Sequence, residues 1–173
     1  APAQAVVVGN PHYDGMRARY SSTKGSARVL FLSDGVRFEH FLTLARELKG
    51  IIGPAFDVAV RPHPMERTSV VKTLGVRSDG VEIDASVDLY GQLAGAYAVV
   101  GEVCTALFEA IGLSERVFSL SNPVTKFYFP ECPFVQISSA GELADQLRGG
   151  SAGRYDATFP ALFWAGGWRV NYA

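Results

Sequence analysis

Val29-Leu30-Phe31-Leu32-Ser33-Asp34-Gly35 is a short apolar run followed at once by a polar turn. A strand buried on both faces reads this way, with no polar alternation. Past the turn, Phe38, Phe41, Leu42, Ala45 and Leu48 recur at helical spacing as far as Gly50. Phe56 through Val60 is a second apolar run that enters Arg61-Pro62-His63-Pro64, and a short helix near residues 66–74 follows.

Outward from this unit the pattern repeats. Val81-Glu82-Ile83 reads as a strand, and Ser86 as the cap of a helix with Leu89, Leu93 and Ala96 on one face. Tyr97-Ala98-Val99-Val100 is a strand that stops at Gly101, before a helix over roughly 104–113 with Leu107, Ala110 and Ile111 inward. Val117-Phe118-Ser119-Leu120 is a strand broken by Asn122-Pro123. Phe134-Val135-Gln136-Ile137 is the last, and Ser139 with Glu142 forms a capping box before a helix bearing Leu143 and Leu147. Short apolar strands alternating with helices predict an α/β fold, a Rossmann-like doubly wound parallel sheet of about six strands. It is expected over residues 28–150. Ala5–Val8 before Gly9-Asn10-Pro11 reads as a further buried strand and 12–27 as an exposed linker, so 1–27 is expected to be an interdomain segment. The tail, 151–173, carries Phe159, Phe163, Trp164 and Trp168 without a period and is expected to pack on a neighbouring surface.

Composition narrows the classes. The 173 residues suit one ordinary domain. Sixteen Lys and Arg against seventeen Asp and Glu give a net charge of −1, which excludes a nucleic-acid binder held by a general basic field. A local anion site remains open. Charged residues make up 19%, below the usual roughly 25%, as expected where some surface is covered by another domain or subunit. Cys104 and Cys132 stand 28 positions apart without a CxxC or paired-His spacing, so reduced thiols are expected rather than a disulfide framework or zinc site. No apolar run approaches the ~20 residues of a membrane helix. The start, Ala1-Pro2-Ala3-Gln4, has neither Met nor a signal-peptide pattern and reads as that of a processed product or a fragment.

In an open parallel sheet, ligands gather beyond the carboxyl ends of the strands. Four polar segments fall there: Ser33-Asp34-Gly35, Arg61-Pro62-His63-Pro64, Asp84-Ala85-Ser86 and Gly101-Glu102-Val103-Cys104-Thr105. The first and last put a helix start, which attracts anions, beside small or hydroxyl residues. The chain has no Walker A motif, no GxGxxG and no DxD-type acidic cluster, so a metal site is not expected. His63 between two prolines is held stiffly at a strand end, either to meet a ligand or to bond a neighbouring carbonyl. Thr105 and Glu109, at i and i+4, share a helix face where a hydroxyl and a carboxylate meet one ligand. Cys104 reads as a nucleophile of lowered pKa or, with no acid-base partner beside it, as a small capping residue. His12 and His40 read as surface or packing residues.

His63-Pro64, Asp84-Ala85-Ser86 with Leu89-Tyr90, and Gly101 through Ala110 together resemble the C-terminal donor-binding domain of GT-B fold glycosyltransferases. The resemblance covers roughly residues 5–150 and is to enzymes of bacterial surface polysaccharides: CDP-glycerol glycerophosphotransferases, capsule Kdo transferases, and sialyl- and polysialyltransferases. It implies that His63 contacts the nucleotide phosphate or base region, that Thr105 holds phosphate and that Glu109 binds ribose hydroxyls. Cys104-Thr105 stands where many relatives have Ser-Ser or Ser-Thr, which leaves one hydroxyl instead of two. The Gly9-Asn10-Pro11 turn with Asp14 resembles the segment joining the two domains of such enzymes. The implied activity is metal-independent and cofactor-free transfer from a nucleotide-sugar donor, a CMP-sugar or CDP-linked donor favoured, to a saccharide or lipid-linked acceptor. The catalytic base would come from an N-terminal Rossmann-like domain, so this chain would bind donor without turning it over. Its expected place is cytoplasmic or peripheral at the inner face of the membrane. A nonhydrolysing UDP-sugar 2-epimerase shares the fold and the strand-end His-Pro, and a non-catalytic nucleotide-binding module is the remaining alternative.

Overall fold

The computed structural model describes residues 9–23, 26–102, 104–128, 130, 132–150, 164 and 166. Helix α1 (Pro11–Tyr20) comes first, with Pro at its start and the Asn10 side chain accepting from the Tyr13 N–H. The 12–27 stretch is therefore helical over most of its length, where an exposed linker was expected. Its apolar content is too low to show a helical stripe; only Tyr13 is buried, its hydroxyl donating to the Ile111 carbonyl. Strand β1 (Ser26–Leu32) and helix α2 (Phe38–Ile52) follow. The helix runs past Gly50, and Gly53, at φ +59°, ends it.

Strand β2 (Asp57–Arg61), helix α3 (Arg67–Leu74), the two-residue β3 (Arg77–Ser78) and β4 (Val81–Ile83) come next. Then come α4 (Leu89–Gly95), β5 (Ala96–Gly101), the five-residue α5 (Thr105–Glu109), β6 (Val117–Leu120), α6 (Pro123–Tyr128), β7 (Val135–Ile137) and α7 (Ala140–Arg148). The sheet has seven strands in the order β3-β4-β2-β1-β5-β6-β7. All neighbours are parallel except β3, which pairs antiparallel with β4 as an edge hairpin. That hairpin is the strand beyond the six expected. At two residues it is too short to leave a hydrophobic pattern.

Alternate residues of β1 enter opposite cores, as the two-residue period of a strand requires. Val29 and Phe31 pack with Phe41, Leu42 and Leu48 of α2 and Leu143 and Leu147 of α7. Leu30 and Leu32 pack with Leu93 of α4, Leu107 of α5 and Ile111 on the other face. Both faces are covered, and the fold is the doubly wound Rossmann-like sheet.

Two local expectations are revised. Asp88, not Ser86, caps α4: its carboxylate accepts from the Gly91 N–H at 2.9 Å, while the Ser86 hydroxyl accepts from the Asp88 N–H. The helix expected over 104–113 ends at Glu109, after which Ile111 bridges to Ser114. Ala5–Val8, Phe159, Phe163 and Trp168 lie outside the described residues. Trp164 seats on this chain, its indole donating to the Phe108 carbonyl at 3.1 Å and stacking on Tyr13. No described helix is long and apolar enough to cross a membrane.

Leu42 is fully buried between α2 and the sheet. Leu42→Ala is expected to lower unfolding free energy by about 2–5 kcal/mol. Val36→Ser, at a site 84% exposed, should stay within about 0.5 kcal/mol. Urea unfolding of the two variants measures both.

Candidate functional site

β1 lies between β2 and β5, so the chain leaves it toward one sheet edge first and the other later. The loops above its two neighbours part at this switch point, where open α/β sheets bind ligands. A cavity of about 440 Å³ opens there. Leu32, Ser33 and Asp34 line it from β1, and Arg61, Pro62, His63, Pro64 and Arg67 from β2 and the start of α3. Val87 and Leu89 line it from the approach to α4, and Cys104, Thr105, Ala106 and Glu109 from α5.

Ionic links fix these loops. The Glu66 carboxylate accepts from the Ser33 hydroxyl at 2.7 Å and from the His63 N–H at 3.1 Å, joining the loops after β1 and β2. Buried Arg61 pairs with buried Asp84 at 2.6 Å, and the other oxygen of Asp84 accepts from the Ser86 N–H. Across the switch point, Arg37 donates to both Asp34 and buried Glu102. The Met65 N–H donates to His63 Nδ1 at 3.3 Å, which leaves Nε2 as the donor of the neutral ring. Gly35, at φ +89°, lies against that ring; a Cβ there would sit 3.1 Å from His63 Cγ and Nδ1.

Of the residues singled out from the sequence, the cavity brings together Ser33, Asp34, Arg61, His63, Pro64, Cys104, Thr105 and Glu109. Gly35 backs His63, Ser86 serves the turn before α4, and Glu102 is buried against Arg37; these three do not line it. In the turn before α2, Asp34 Oδ1 accepts from the Val36 and Arg37 N–H groups at 2.9 Å each, so the Asp34 carboxylate stands next to the helix start. Burial pushes the Asp34 carboxyl upward, but those N–H groups and the Arg37 guanidinium outweigh it and hold its pKa below 3.8. Burial pushes the Cys104 thiol up to about 11, opposite to the lowered pKa that the nucleophile reading requires.

Arg67 is the cavity residue that the sequence reading passed over. Its Nε is buried without a hydrogen-bond partner, and no described carboxylate pairs with the guanidinium. Arg61, the other guanidinium of the lining, is neutralised by Asp84. The signal was present in Arg67 at one turn beyond His63, but a lone Arg on a polar helix gives no periodicity to distinguish it. The site thus offers an unpaired cation and an imidazole N–H on one wall. The hydroxyl of Thr105 and the carboxylate of Glu109 stand on the other. That set has donors suited to an anion and an acceptor suited to a hydroxylated group attached to it. Among the described residues, no three His, Cys, Asp or Glu side chains are placed to hold a metal ion.

No protein-family model matches the chain, and no curated protein matches it by sequence. Solved structures match in fold. The Methanocaldococcus jannaschii UDP-GlcNAc 2-epimerase, solved with UDP-GlcNAc and UDP, is 15% identical over 82% of this chain and 46% of its own, with a TM-score of 0.52. A Listeria monocytogenes protein assigned as a UDP-N-acetylglucosamine 2-epimerase is 15% identical over 94% and 52%, at 0.53. The wall teichoic acid polymerase TagF is 11% identical over 93% and 42%, at 0.50. This chain spans about half the length of these structures. The likeness is one of fold: a Rossmann-like domain of the GT-B kind.

The depressed Asp34 carboxyl makes a testable acid limb. Its stabilisation is complete above the unfolded value and is lost as pH falls through the lower folded value. Asp34→Asn keeps an acceptor but no charge. It should be less stable than wild type at about pH 6, and the gap should close in urea unfolding as pH falls below the ordinary carboxylate range.

Proposed function

We propose that this chain is the donor-binding half of a metal-independent glycosyltransferase of bacterial surface-polysaccharide synthesis, and that its cavity takes the phosphate and ribose of a cytidine-linked donor. The Arg67 guanidinium, half-buried in the same cavity wall as His63 and paired with no described carboxylate, carries the reading, because an unneutralised cation lining a cavity favours an anion. Arg67 and His63 would meet the phosphate, with Thr105 facing it from α5. The same groups would stabilise negative charge as it develops on the leaving phosphate. At five residues α5 adds only a short dipole, so the guanidinium bears most of the work. Glu109 would accept from ribose hydroxyls. The acceptor site and the catalytic base belong to a second domain, a reading supported by the half-length coverage of the matched structures. Cytidine over uridine follows the resemblance of His63-Pro64 with Thr105 to CMP- and CDP-using enzymes.

A second reading is a UDP-sugar 2-epimerase-like isomerase, favoured by the names of two matched structures. Titration calorimetry with CMP, CDP and UDP separates the two, and UDP binding at least about tenfold tighter than CDP would favour the isomerase. A chain that binds nucleotide within a longer protein that turns over no donor would be a binding module.

A charge-assisted hydrogen bond is worth about 1.5–3 kcal/mol, or roughly ten- to a hundredfold in affinity. Arg67→Ala and His63→Ala should each weaken CDP binding by that factor without moving the unfolding midpoint. Exposed His40→Ala should change neither. Unchanged affinity in both cavity variants would remove the anion site.

A further inference from the structure

Tyr90 on α4 is 9% exposed, and its hydroxyl donates to Glu109 Oε1 at 2.8 Å. It does not line the cavity, whereas Glu109 does. The ring is held from α1 by His12, edge-on at 5.3 Å between centroids. α1 is itself tied to the start of α4, the Tyr20 hydroxyl donating to Asp88 at 2.6 Å. Burial first, and the hydrogen bond to Glu109 second, push the Tyr90 pKa upward, so the phenol remains a donor.

A glutamate on a helix face ordinarily exchanges among rotamers and loses that freedom on binding. Here one carboxylate oxygen is already engaged by a phenol that α4 holds nearly buried. Among the described residues none donates to the other oxygen, which leaves its lone pairs for a ligand in the cavity.

We infer that Tyr90 is a positioning residue for sugar recognition: it fixes the Glu109 carboxylate so that its free lone pairs accept from the cis-diol of a ribose. The inference rests on the nucleotide reading above and extends it to a residue outside the cavity wall.

The test is titration calorimetry on the 173-residue chain with CMP and 2′,3′-dideoxy-CMP. UMP and its dideoxy form run in parallel, so that the choice of base does not enter. Wild type should prefer the ribose form by about tenfold or more, and Tyr90→Phe should cut that preference by about three- to tenfold. Affinity for the dideoxy ligand and the unfolding midpoint should stay unchanged, since Phe keeps the ring. Glu109→Ala should abolish the preference, and adding Tyr90→Phe to it should change nothing further. A Tyr90→Phe chain that loses both ligands equally would make the residue structural and overturn the inference. If Tyr90→Phe keeps the preference while Glu109→Ala loses it, the inference falls and the ribose reading stands. If Glu109→Ala keeps the preference, the ribose reading falls and the inference with it.

Discussion

The Glu66 carboxylate accepts from Ser33 and His63 at once, and the shape of the cavity depends on that double contact. Past the last residues of β1 and β2 the sheet ladder no longer holds the chain, and the loops need another tie. Glu66 supplies one, Arg61–Asp84 a second, and the Arg37 bridge from Asp34 to Glu102 a third. Breaking a buried pair such as Arg61–Asp84 costs about 3–5 kcal/mol, whereas an exposed pair such as Arg148–Asp145 is worth about 0–1. Of these ties the buried Arg61–Asp84 pair is therefore the costliest to break. Within this set, Arg67 is the guanidinium of the cavity that no described carboxylate neutralises.

The sheet was legible because its strands are buried on both faces. A run such as Val29–Leu32 has no polar residue to confuse the period, and the strands at Val81–Ile83 and Val117–Leu120 have the bounds read from sequence. α1 was not legible because its capping signal, Asn10 before Pro11, precedes a segment with a single buried residue. Ser86 and Asp88 are both plausible caps by type, and only backbone direction decides between them.

Site residues divide along the same line. His63, Thr105 and Glu109 sit at strand ends or on a helix face, where spacing alone places them beside one cavity. The roles of Asp34 and Glu102 depend on Arg37, which reaches across the sheet from a sequence distance no pattern spans. Asp34 turned out to brace the turn before α2 through the Val36 and Arg37 N–H groups, beside the helix start that was expected to draw an anion. Tyr90 and Arg67 matter through what their side chains do or do not touch, and that is a tertiary property.

Backbone amide chemical-shift mapping of the chain during titration with CDP tests the central claim most directly. The account predicts saturable shifts at Ser33, His63, Arg67, Thr105 and Glu109, the residues around the switch-point cavity. Shifts confined to α1 and α6, or none at saturating nucleotide, would contradict it.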